Sequence, residues 1–318
     1  MVQNSGVADA VSSRAPALDG GAATAGWWPQ DRLIFSYLLL TGLLIGAFWR
    51  QIPGAGWLLG LHAAAAWLLA AAARAETSEG SLIWFFRHWY PLLYVSLCYR
   101  EMGLLIPAVR HGDLDAALAR LDFTWWGVHP TVWLERLQTP VLTEIMQIIY
   151  TLFLPMILLV AVLWWRRRRW GEFRYYAFLL SLGFLVSYVG YLLVPVRGPR
   201  FLLNPLQSRA LDGVWSFPVL RHLVDVLEAA HYDCFPSGHV QMTLLACWSS
   251  RRLSGRLYCI FRLYTLLTVI STVYLRYHYT VDLATGVALA VALIVLAPRI
   301  YSYEKGRGFV TVPSCPGS

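Results

Sequence analysis

A series of long apolar runs constrains this chain more than any other feature. Leu33–Trp49, Ala55–Ala73, Leu82–Tyr99, Val141–Trp165, Tyr175–Val194, Gly238–Ser250, Leu257–Leu275 and Val281–Ala297 carry few charges. A helix crosses the hydrocarbon core of a bilayer with about 20 apolar residues. Inside lipid every backbone group must be paired within its own structure, so runs of this kind become helices. The expected fold is all-α, a polytopic integral membrane bundle of about eight transmembrane helices. Composition agrees: 58% of the 318 residues are hydrophobic and 14% charged, against roughly 25% charged in soluble domains. The third run holds Arg87 and His88 and could be a half-span or an interfacial helix. The sixth is short, and the PSGH residues ahead of it could extend it.

Arginine clusters orient the bundle. Arg166–Arg169, then Arg251, Arg252 and Arg256, then Arg299, Lys305 and Arg307 all fall on one side if every run crosses. By the positive-inside rule that side is cytoplasmic and holds both termini. The net charge of +8 is then a topology signal rather than a nucleic-acid surface, because the clusters abut spans. Five regions follow. Residues 1–30 are an Ala-, Gly- and Ser-rich cytoplasmic tail, expected to be disordered and without a cleaved signal. Residues 31–99 are N-terminal spans, and 100–140 are a non-cytoplasmic amphipathic and interfacial segment, read as a lid or packing element. Residues 141–300 are the catalytic membrane core, and 301–318 a second cytoplasmic tail. The five cysteines show no CxxC or metal-ligand spacing. Cys98 and Cys234 fall on the same side, which leaves a disulfide between them as one option.

Ionisable residues gather at the non-cytoplasmic boundary. His239 opens the sixth run within PSGH, and His278 and Asp282 open the eighth within HYTVD. Such groups near hydrocarbon are costly and are usually paired or functional. The i,i+4 spacing of His278 and Asp282 puts them on one helix face. A carboxylate on one ring nitrogen fixes the tautomer and leaves the other nitrogen free as a nucleophile. Arg197 and Arg200 flank a Gly-Pro turn at the end of the fifth run, and Arg276 precedes His278. Guanidinium forks match phosphoryl oxygens. Pro236 suits a first helical turn and Ser237 an N-cap, so that Ser237 and Gly238 would aim backbone N–H groups at an anion. His62 and His88 have no matching partners and are expected to be packing residues.

The order GPR … PSGH … HYTVD resembles the type 2 phosphatidic acid phosphatase superfamily. Within it the wording is similar to the branch of inositol phosphorylceramide synthases, which are inositolphosphotransferases, and their bacterial relatives. The resemblance implies a six-helix phosphatase-type core and metal-independent chemistry without a cofactor. It implies a phosphohistidine on His278, with Asp282 its partner and His239 the acid/base. It also implies a membrane lipid phosphoester as substrate and water, or a lipid or polyol hydroxyl, as acceptor. Nothing points to an obligate protein partner. Two departures stand out. The lysine opening the family's first motif is absent, with Gly190 and Leu193 in its two possible positions. The arginine of the third motif is replaced by Thr272, leaving Arg276 one helical turn further along to supply the guanidinium. The missing lysine and shifted arginine keep open a non-catalytic scaffold with a degenerate site; the other alternative, a transporter of lipid or small solute, is disfavoured because the polar residues gather at one edge of the membrane rather than at its midplane.

Overall fold

Proline positions and caps set the helix boundaries. The computed structural model describes residues 26–228 and 232–306, so most of both expected tails lies outside the described residues. Within them the chain forms thirteen α-helices and no named strand, an all-α membrane bundle. Helix α1 spans Pro29–Ala47, with the Asp31 carboxylate taking the Trp28 N–H at 2.8 Å. Helices α2 (Ala55–Arg74) and α3 (Leu82–Val109) follow. Helix α4 (Asp115–Trp126) ends at Gly127, whose φ of +69° gives the left-handed C-cap. The short α5 (Pro130–Trp133) leads to α6 (Pro140–Thr151), and α7 is Phe153–Arg166. Then come α8 (Trp170–Leu193), α9 (Pro199–Leu202), α10 (Phe217–Leu227), α11 (Gly238–Ser250), α12 (Gly255–Tyr274) and α13 (Thr280–Gly306).

Five helices, α2, α3, α8, α12 and α13, are each long and apolar enough to cross a bilayer. The expected run Val141–Trp165 is instead two helices, α6 and α7, bent by 43° and together making a sixth candidate span. Pro155 explains the break, because it has no N–H for the carbonyl of Thr151. Helices α1, of 19 residues, and α11, of 13, cover the first and sixth runs.

Helix α11 sits at the centre, packed by α7, α8, α12 and α13. Met242, Leu245 and Ala246 of α11 meet Phe173, Tyr176 and Leu180 of α8, Val160 of α7 and Ala290 of α13 in one buried cluster. A second cluster joins α1 and α3 to α8 through Tyr37, Met102, Leu105 and Tyr188. Arg87 pairs with Asp31 at 3.4 Å and lies over the Trp28 ring, so the charge inside the third run is neutralised within the protein. His88 donates to the Trp84 carbonyl at 2.8 Å as a packing residue, whereas His62, expected to lack a partner, lies 3.1 Å from the Glu101 carboxylate besides contacting the Leu58 carbonyl and Thr41. Cys98 and Cys234 are both free thiols, which removes the disulfide option. Cys315 lies outside the described residues.

Candidate active site

The three loop regions expected on one side do meet. The Leu114 N–H donates to the Pro195 carbonyl at 2.9 Å, and the Cys234 N–H to the Val196 carbonyl at 3.1 Å. Gly198 has φ of +104°, and a Cβ there would stand 2.6 Å from the Tyr277 carbonyl oxygen, so only glycine lets the GPR turn pass this close to the HYTVD turn. The Ser237 N–H donates to the Asp282 carbonyl at 3.1 Å, which ties the start of α11 to the start of α13.

His239 and His278 converge through this join. Their rings meet edge to face with centroids 5.8 Å apart. His278 is 3% exposed and Asp282 is fully buried. Nδ1 of His278 lies 3.5 Å from Asp282 Oδ2, leaving Nε2 free of that carboxylate. The same oxygen accepts the Cys234 S–H and the Tyr279 N–H, each at 2.8 Å. Burial, and then the Asp282 charge, push the Cys234 thiol well above its usual range, so it remains a donor. Cys234, His278 and Asp282 place three potential ligand atoms within 4.8 Å of one another, a set that could hold a metal ion.

The break between α6 and α7 shapes the other wall. Tyr150 stacks on His239 with centroids 4.3 Å apart, and Phe153, just past the break, lies 4.2 Å from the same ring. Tyr150 also stacks on Tyr277 at 4.3 Å and 9°. Arg221 and Arg200 cover the Tyr277 ring, at 4.3 and 4.7 Å from its centroid. A column of rings thus links two guanidiniums to His239.

The predicted arginines divide. Arg200 faces this column and pairs with Asp225 at 2.6 Å. Arg197 lies over the Phe201 ring at 4.2 Å. Arg276 is not brought to the imidazoles. Its backbone is left-handed, with φ of +68°, and its guanidinium donates to the Arg209 carbonyl at 2.7 Å and to Gln138 at 3.3 Å. The expectation that helical spacing would return it to the His278 face fails because helix α12 ends at Tyr274. Ser237 is the N-cap of α11, its hydroxyl taking the Val240 N–H at 3.4 Å, and Gly238 is the first helical residue. Pro236 therefore precedes the cap instead of opening the helix.

A family model of the PAP2 superfamily matches residues 116–296, more than half of the chain. The chain belongs to the PAP2 superfamily. It is 26% identical over 115 residues to a PA-phosphatase related-family protein of Dictyostelium discoideum, a match covering 35% of this chain and 21% of that relative. The chain thus spans about a fifth of that protein's length. No solved structure matches it.

Several residues of this PAP2 site escape sequence reasoning. Glu228, at the C-cap of α10, accepts the Tyr150 hydroxyl at 2.7 Å and lies 3.4 Å from Nε2 of His239. Burial, with the nearby Asp233 charge, pushes its carboxyl up to about 8, so it holds a proton at neutral pH. Arg221, one turn into α10, lies over the Tyr277 ring beside Arg200. The signal for both was the amphipathic pattern of Phe217–Leu227, which gathers Arg221, Asp225 and Glu228 on i,i+4 and i,i+3 spacings. Glu144 of α6 fastens this helix: its carboxylate accepts N–H groups from Val214, Trp215, Ser216 and Phe217 at 2.8–3.2 Å.

Helix α4 does more than pack. Asp115 accepts the Arg197 and Gly198 N–H groups at 2.8 Å and the Tyr279 hydroxyl at 3.0 Å. Asp122 accepts the Thr280 N–H and hydroxyl at 2.8 Å and the Val281 N–H at 3.0 Å, capping α13 from outside. One helix therefore holds both loops that carry the arginines and the His278–Asp282 pair.

Proposed function

We propose that this protein is a lipid phosphate phosphatase or phosphotransferase that forms a phosphohistidine on His278. The convergence of His239 and His278, with ring centroids 5.8 Å apart, carries the reading, and Arg200 and Arg221 lie over the Tyr277 ring that stacks on Tyr150 beside His239. One phosphoryl group can touch both rings at that separation. Phosphoryl transfer depends chiefly on positioning and charge stabilisation, which guanidiniums supply.

Asp282 orients His278, and its Nε2 attacks phosphorus in line. The N–P bond forms as the P–O bond to the leaving group breaks, and the proton held by Glu228 passes through His239, which burial and then His278 keep neutral at rest, to that oxygen. General acid help of this kind is worth about 10²–10⁴-fold. Glu228 shares the proton at His239. The neutral imidazole then takes a proton from the acceptor, whose oxygen attacks the phosphohistidine and frees His278. Arg197 joins Arg200 on the phosphoryl oxygens, and the first turn of α11, from Ser237 and Gly238, adds backbone dipoles. Arg221 takes the part that sequence reasoning gave to Arg276.

Water as acceptor makes a phosphatase; a lipid or polyol hydroxyl makes a headgroup transferase, such as one moving inositol phosphate. The GPR, PSGH and HYTVD wording and the missing lysine at Gly190 and Leu193 support the inositol phosphorylceramide synthase-like branch. The arginine-rich loops at the opposite ends of the spans support a non-cytoplasmic active site. Purified protein incubated with a panel of lipid phosphoesters, with and without hydroxyl acceptors, is read by mass spectrometry. Free phosphate identifies the hydrolase, headgroup-exchanged lipid the transferase, and absence of both contradicts the proposal.

A further inference from the structure

A second cavity opens away from the imidazoles, on the same loop side. It measures about 500 Å³ and lies among α4, α5 and the segment 206–209, within the range of small-molecule sites. Phe123, Val128 and Trp133 form apolar walls, while His129, Arg136 and Arg209 supply the polar ones. No catalytic step uses any of these residues.

The charges in this cavity are not spent on the protein. The guanidiniums of Arg136 and Arg209 make no hydrogen bond or ion pair among the described residues. The one carboxylate lining the cavity, Glu135, is already engaged: Ser208 donates its hydroxyl to one oxygen at 2.6 Å and its N–H to the other at 3.2 Å. Those bonds, the first cause, hold its carboxyl below the usual range. Nδ1 of His129 is buried with no partner, although its ring lies 5.2 Å from that of Phe123. An unmatched donor or acceptor out of water is costly and calls for a ligand. Two free guanidiniums and an imidazole select an anion with several oxygens, and the phosphate is the group they fit best. Phe123 is 50% and Trp133 43% exposed, so the aromatic wall is available to an apolar tail.

We propose that this cavity binds the phosphate of an amphiphile, a second anionic lipid distinct from the one at His278. Arg136 and Arg209 hold the phosphate, and Phe123, Val128 and Trp133 hold the start of the tail. The position suits an effect on the active site. Arg276 donates to the Arg209 carbonyl, while its own carbonyl accepts the Arg200 N–H at 3.0 Å. One residue therefore joins the wall of this cavity to the phosphoryl-binding turn.

The test uses the full chain in detergent with His278→Ala to stop turnover, titrated with dihexanoyl phosphatidic acid and, separately, inorganic phosphate. Bound molecules are counted by native mass spectrometry. The expected result is two lipid molecules per chain. Arg136→Gln with Arg209→Gln weakens one binding event by at least ~10-fold, whereas Arg200→Gln leaves that event intact and weakens the other. Arg136→Lys with Arg209→Lys restores part of the loss, and Trp133→Ala weakens lipid but not inorganic phosphate. A diazirine-bearing phosphatidic acid crosslinks to peptides within 121–136 of the parent protein, which keeps the test open if a variant misfolds. A single lipid per chain, two unaltered events in the double variant, or inorganic phosphate binding as tightly as lipid would overturn the proposal.

Discussion

Asp122 and Val281 are joined by a hydrogen bond of 3.0 Å from the Val281 N–H to the Asp122 carboxylate, across a wide gap in sequence. The same carboxylate takes the Thr280 N–H and hydroxyl, so α13 begins where α4 holds it. Asp282 follows directly, which makes the aim of that carboxylate at His278 depend on a helix outside the motif.

This dependence predicts a graded loss. Asp122→Ala leaves two buried N–H groups without acceptors and should cost about 1–3 kcal/mol of stability. Asp122→Asn keeps one acceptor oxygen and should cost less. In both, kcat falls further than KM rises, since the defect is in aiming Asp282 rather than in binding lipid. Steady-state kinetics beside thermal melts in detergent check this, and an unchanged kcat in Asp122→Ala would refute the positioning role.

Glu228 gives a pH signature. Its carboxyl lies above the ordinary value of 4.5, at about 8, because it is buried beside Asp233. The native state therefore holds a proton that the unfolded chain releases between those values, so stability falls as pH rises from about 4.5 through about 8. The same proton serves His239, and the rate should fall above about pH 8. Glu228→Gln should lose the alkaline limb of the rate profile and flatten the pH dependence of melting.

Glu144 fastens the N-terminus of α10 by four backbone N–H groups. Glu144→Ala should free residues 211–217 and displace Arg221 and Glu228. Limited proteolysis is expected to cut there several-fold faster, with kcat reduced about 10²-fold through loss of the guanidinium and the proton partner. Glu144→Gln should lie between Ala and the parent.

Cys234, His278 and Asp282 could together take a metal ion, so metal independence is a direct test. Dialysis against EDTA should leave turnover unchanged, because Nδ1 of His278 is committed to Asp282. Loss of activity that zinc restores would instead assign those three residues as ligands.

The sequence made the spans legible because apolar run length is set by bilayer thickness. It made His239, His278 and Asp282 legible because motif order and i,i+4 spacing bring them to one boundary. Other parts could not be read in this way. Arg276 looked helical by spacing, but its left-handed backbone turns the side chain toward Arg209. Asp115 and Asp122 lie in the 100–140 segment, whose amphipathic pattern singles out neither; only the fold reveals that their carboxylates meet distant N–H groups. Arg221 and Glu228 sit on a helix whose pattern says amphipathic but not what it faces. Tyr150 and Phe153 reach His239 because Pro155 bends the span, and a run of apolar residues does not announce which of them a bend turns inward.

Trapping the covalent species tests the central claim most directly. Rapid quenching with phosphoryl-labelled lipid, followed by peptide mapping under alkaline conditions, should place an acid-labile phosphate on His278. His278→Ala should lose both label and turnover by ~10⁴-fold or more, and Asp282→Asn should lower turnover by about 10⁴-fold while the protein still inserts in membranes. Full turnover in His278→Ala, or label on any other residue, would contradict the account.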